Sequence, residues 1–102
     1  MMVMTVLQAW VAPTDWATLV DSYKAGTRRL PEQMVESFLL QNKDAPSLWD
    51  CISLWRSREA LKEYQTSVET PGGIMMFRAA GAEPILTIYE VVANGNGSLT
   101  RI

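Results

Sequence analysis

Alternation dominates the start of the chain. From Val3 to Ala12, Val6, Gln8 and Trp10 fall on one parity and Thr5, Leu7, Ala9 and Val11 on the other. A strand here is apolar on both faces and is expected to be covered on both. Pro13-Thr14-Asp15 stops it, with Thr14 placed to cap a helix and Asp15 to sit in its positive first turn. Trp16, Leu19, Val20 and Tyr23 recur at i, i+3, i+4 and i+7, a helical stripe that Gly26 is expected to close. After a connector holding Pro31, a second strand runs from about Met34 to Asn42, the loop 43–47 (KDAPS) turns the chain, and a third strand runs from Leu48 to Arg56. Ser57 can cap a second helix whose inner face is Ala60, Leu61, Tyr64 and Val68. TPGG breaks the chain, IMMFRAA makes a short helical turn or lid ended by Gly81, and Pro84 opens a last strand, ILTIYEVV.

The order is β-α-β-β-α-β, an α+β ferredoxin-like arrangement: a four-stranded antiparallel sheet with both helices on one face. One domain spans residues 1–93, and 94–102 form a loosely ordered tail. The face of the sheet away from the helices carries Phe38 and Leu40, too apolar to leave in water. A patch of this kind marks an interface, and a homodimer joined sheet to sheet is the expected solution.

Composition narrows the chemistry. The chain has 102 residues, nine basic and eleven acidic, enough for one core and with no basic block to steer a polyanion. Nucleic acid is therefore not an expected partner. No apolar run approaches the ~20 residues that span a bilayer, so no membrane partner is expected either. The single cysteine, Cys51, excludes an intrachain disulfide and suits the cytoplasm. Histidine is absent, which removes the usual base near pH 7, the commonest metal ligand and every serine–histidine or cysteine–histidine dyad. A metal site is not expected.

The unit LWDCISLWRSREALKEYQTS (48–67), followed by a broken short helix and a strand ending IYEVV, resembles the antibiotic biosynthesis monooxygenase domain of the dimeric α/β-barrel superfamily. Its sharpest piece is Trp55, Ser57, Glu59, Ala60 and Leu61, and the likeness in element order covers residues 3 to 92. The resemblance implies the fold, a dimer, and one of several activities: oxygenation of quinols and polyketide phenols without a cofactor, haem degradation, or none known. The haem-degrading pattern resembles an Asn in the first strand, a Trp in the second long helix and a His beyond it. Those places fall here near Gln8, Tyr64 and Ile74-Met75, which argues against haem. What remains is a monooxygenase with no cofactor acting on a quinol-like or polyphenolic aromatic, or a non-catalytic dimeric module that binds a small molecule or serves as structure.

On either reading the candidate residues are the same. Tyr64, turned toward the sheet by helical phase, can hydrogen-bond a phenolate or peroxide oxygen, or be a core tyrosine with a wet tip. Gln8 interrupts an apolar strand, so its amide either satisfies a neighbour or points into a cavity. These two are the candidate catalytic groups. Trp16, Trp55 and the Met75-Met76 pair are candidates to hold an aromatic ring, with Trp55 equally a fold-defining corner and the methionines equally gap fillers. Trp49 shares a face with Trp55 but lies roughly 20 Å along the strand, too far to line the same small site. Tyr23 and Phe38 read as core and Cys51 as a small buried hydrophobe. Glu36 and Glu90 could serve as bases if buried.

Overall fold

Strand parity sets the architecture. The computed structural model describes residues 1–95; the tail expected over 94–102 lies outside them from 96 onward. Strands β1 (Val3–Trp10), β2 (Met34–Gln41), β3 (Leu48–Trp55) and β4 (Ile85–Glu90) form one antiparallel sheet in the order β2-β3-β1-β4. Register places Leu7 opposite Cys51 on one side and Leu86 on the other, and Phe38 opposite Ile52. Helices α1 (Trp16–Gly26), α2 (Arg58–Ser67) and α3 (Gly72–Ala79) cover one face. Beneath them lie Val3, Thr5, Leu7 and Ala9 of β1 and Trp49, Cys51, Ser53 and Trp55 of β3, all buried. This is the expected ferredoxin-like arrangement. No helix among the described residues is long and apolar enough to cross a membrane.

The core is divided. One cluster joins Leu7, Ala9, Val11, Leu19, Trp49, Met76 and Phe77 under α1 and α3. A second joins Val3, Trp55 and Leu61 under α2, with Met34 and Tyr64 packed against it. The seam between them runs across the middle of the inner face.

Several local expectations need correcting. Residues 13–15 form a 3-10 turn closed by the Asp15 N–H on the Ala12 carbonyl at 2.8 Å, and no side chain caps it or α1. Pro13 supplies the first-turn geometry without a donor. Gly26 is helical and does not close α1; Thr27 does, donating both its N–H (2.9 Å) and its Oγ1 hydroxyl (2.7 Å) to the Tyr23 carbonyl. The short turn or lid expected after TPGG is a full two-turn helix with Met76 and Phe77 buried. It ends as expected on Gly81, whose φ of 74° lets Gly81 N–H reach the Arg78 carbonyl and Ala82 N–H the Phe77 carbonyl. Ser57 caps α2, its Oγ accepting from the Ala60 N–H at 2.9 Å, a contact worth about 1 kcal/mol.

Among the described residues nothing covers the outer face of the sheet, because all three helices lie on the other side. Trp10 is 67% exposed and Phe38 48% in the single chain, so the described residues bury β1 on one side, and Phe38 is not part of the core under the helices. Glu36 is exposed on that face, and Glu90 is ion-paired with Arg58 at the surface. Neither carboxylate is the buried base the alternation allowed.

Candidate functional site

The inner face of β3 reads Trp49, Cys51, Ser53, Trp55: large, small, small, large. Two indoles prop the helices off the sheet and the small pair between them leaves a hollow along the seam of the two core clusters. Ser37 of β2 lies opposite Ser53 and widens it, while Gly72 and Gly73 bring the start of α3 close without side chains. A Cβ at Gly73 would come within 2.7 Å of Leu7 Cδ1.

The result is a cavity of about 180 Å3 bounded by the C-terminal half of α1, the connector after it, the sheet and the start of α3. A smaller chamber of about 60 Å3 continues toward Trp55, Leu61 and Ile74. Met34, Cys51, Ser53, Tyr64 and Gly73 line both, so the two are parts of one space. Most of the wall is apolar, with hydroxyls set into it. The Tyr23 hydroxyl donates to Ser37 Oγ at 3.1 Å. Cys51 lies beside Ser37 and Ser53; burial pushes its thiol above the usual range, and the two serines draw it partly back. At neutral pH Cys51 is therefore a protonated thiol and a poor nucleophile. Among the described residues, Arg29 is the only charged one lining either chamber.

Tyr64 stands where the chambers meet. Its ring leans on Trp55 with centroids 5.0 Å apart and planes at 40°. Its hydroxyl accepts from the Gly72 N–H at 3.1 Å, which fixes the start of α3 and leaves the phenolic proton free to donate. Trp55 is held in turn by its indole N–H, which donates to Thr5 Oγ1 at 2.9 Å.

The candidates from sequence divide between the two faces. Tyr64, Trp55 and Met76 line the cavity. Met75, one position along α3 and 58% exposed, faces away. Trp16 lies outside both chambers: its indole N–H donates to the Val11 carbonyl at 2.9 Å and its ring meets Trp49 edge-on at 6.1 Å. Gln8 is on the outer face, where its side-chain amide donates to Asp50 at 3.0 Å. An even-numbered position on β1 cannot reach a cavity built on the odd ones, so Gln8 and Tyr64 of one chain do not share a pocket. Tyr23, Ser37, Ser53 and Cys51 were not singled out as site residues. The signal that could have found them is the pair of small residues between two tryptophans of the same parity. Among the described residues, no group of three or more histidine, cysteine or acidic side chains could hold a metal ion.

No family model matches the sequence, and no curated protein does. Solved structures do match. A structure from Deinococcus radiodurans that bears the antibiotic biosynthesis monooxygenase name superimposes with a TM-score of 0.70 at 15% identity, over 94% of this chain and 98% of that one. A variant of SnoaB, a cofactor-independent oxygenase from Streptomyces nogalater, gives 0.65 at 18% identity, over 91% and 95%. A conserved protein from Methanosarcina mazei gives 0.69 at 14%, over 86% and 90%. At these identities the likeness establishes the fold, that of the antibiotic biosynthesis monooxygenase structures.

Proposed function

We propose that this chain is a monooxygenase that needs no cofactor and oxidises an electron-rich phenol bound between sheet and helices. The observation that carries the reading is the cavity on the seam of the core, apolar in its walls and hydroxylated at its floor, with the Tyr64 phenol at its centre. SnoaB, of the same fold, is a cofactor-independent oxygenase.

In this reading the phenol enters as its phenolate or loses its proton to water at the mouth. Tyr64 donates a hydrogen bond to the ring oxygen and favours the charged form. The electron-rich ring passes one electron to dioxygen, and the radical pair combines into a peroxide on a ring carbon. Loss of water then leaves the quinone. Phenol and dioxygen give quinone and water, so atoms and electrons balance with no outside reductant. Trp55 and Met76 hold the ring, and the protonated Cys51 thiol stays out of the chemistry.

Oxygen uptake by metal-stripped protein with a panel of hydroquinones tests this. Tyr64→Phe is expected to lower turnover on the order of 100-fold, as for loss of one donor to a developing oxyanion. Full turnover in the variant would remove Tyr64 from this role.

A second reading is favoured by one observation: among the described residues no carboxylate or histidine lines either chamber. Without a proton acceptor the chain would bind a phenol and leave it unchanged. Calorimetric binding without oxygen uptake, across substrates already ionised at the working pH, would select this reading.

The proposal includes a homodimer in the cytoplasm, joined through the outer face of the sheet. Its support is the uncovered apolar surface that contains Trp10, Phe38, Leu40 and Ile85.

A further inference from the structure

Size and charge sharpen what this cavity can hold. An apolar cavity of about 150 Å3 takes one benzene ring, whereas pockets for larger ligands run from about 300 Å3 upward. The main chamber, at about 180 Å3, is of the size that holds one substituted ring. Its lining carries two kinds of polar group. One is hydroxyl: the Tyr23–Ser37 pair and the serines beside Cys51, with the Tyr64 phenol. The other is the exposed guanidinium of Arg29, in the connector after α1.

Arg29 makes no ion pair among the described residues, and no acidic residue lines either chamber to neutralise it. Its neighbour Arg28 does not line the cavity. A guanidinium fork matches a carboxylate in two parallel hydrogen bonds. The carbonyl end of α1 close by would oppose an anion, but Thr27 already satisfies the Tyr23 carbonyl twice.

We infer that the ligand of this site is a single aromatic ring bearing a phenolic hydroxyl toward Tyr64 and an acidic substituent toward Arg29, a hydroxyaryl acid. The inference rests on the reading of the cavity as a phenol site. Arg29 is the residue that sets specificity, and because it is exposed the pair is partly screened. A preference of about five- to tenfold for the acid follows.

The test is calorimetric titration of the full chain with hydroquinone, which is neutral, and with 2,5-dihydroxybenzoate, which carries the acid. The same pair is run on Arg29→Gln, Arg29→Lys and Arg28→Gln. The expected result is tighter binding of the acid, a preference that collapses in Arg29→Gln, persists in part in Arg29→Lys, and is unchanged in Arg28→Gln. A preference that survives in Arg29→Gln, or falls equally in the two Gln variants as bulk charge would make it, overturns the assignment. If hydroquinone binds and the acid is not preferred, the acid-selecting role falls and the phenol site stands. If neither ligand binds, both fall together.

Discussion

Cys51 shows how one residue can be read correctly and still incompletely. Its place on an apolar strand identifies a small buried side chain, and the structure agrees: it is 5% exposed. What the single strand does not show is that the small volume is itself the feature, because a neighbouring strand must supply Ser37 before a gap becomes a cavity. Tyr23 was legible only as one member of a helical stripe for the same reason. Burial of the thiol has a consequence that can be measured. The folded-state pKa lies above the unfolded value of about 8.5, so the folded chain holds its proton longer. The contribution to stability is complete below that unfolded value and is lost as pH rises through the folded one. Denaturant unfolding should therefore show stability falling above about pH 8.5, less steeply in Cys51→Ala. The difference between the two curves isolates the thiol from tyrosines and lysines that also titrate there. Parallel curves would mean that Cys51 reaches water.

Among the elements, those whose signals are local were legible. Strand β1 follows from parity and α2 from Ser57 and its apolar stripe. Helix α3 was harder, since two glycines at its start and a sequence of eight residues read as a turn; it is a helix because Met76 and Phe77 are buried against α1 and the sheet. The glycines serve the cavity. Gly73→Ala puts a methyl where both chambers meet and presses on Leu7 Cδ1. That atom is the end of a side chain that can turn, and alanine is up to about 1 kcal/mol better than glycine in a helix. The melting temperature is expected to move by less than about 4 °C, while affinity for a phenol falls about tenfold by loss of room. A large drop in melting temperature with affinity intact would show that Gly73 matters to packing and not to the site.

At the scale of the molecule, sequence led to the four-stranded antiparallel sheet and to an apolar face away from the helices, but not to the division of candidate residues between the two faces. Gln8 is the instructive case: a polar residue in an apolar strand pairs with Asp50 across the outer face and has no path to Tyr64. If that face joins two chains, a charge placed in it should separate them. Phe38→Glu, opposite Ile52 and remote from the cavity, is expected to convert a dimer to a monomer in sedimentation velocity, since like charges would be brought together across the two-fold axis. A wild-type chain that sediments as a monomer would end the dimer proposal.

Strand β3 gives Cys51, Ser53 and Trp55 to the cavity and its even positions, Asp50, Ile52 and Leu54, to the open face. Neighbours in sequence thus face different surroundings. A substitution at 51 or 53 changes the volume of the cavity and leaves the open face as it is, and one at 50, 52 or 54 does the reverse, so a single backbone strand can be altered on either side without the other registering it.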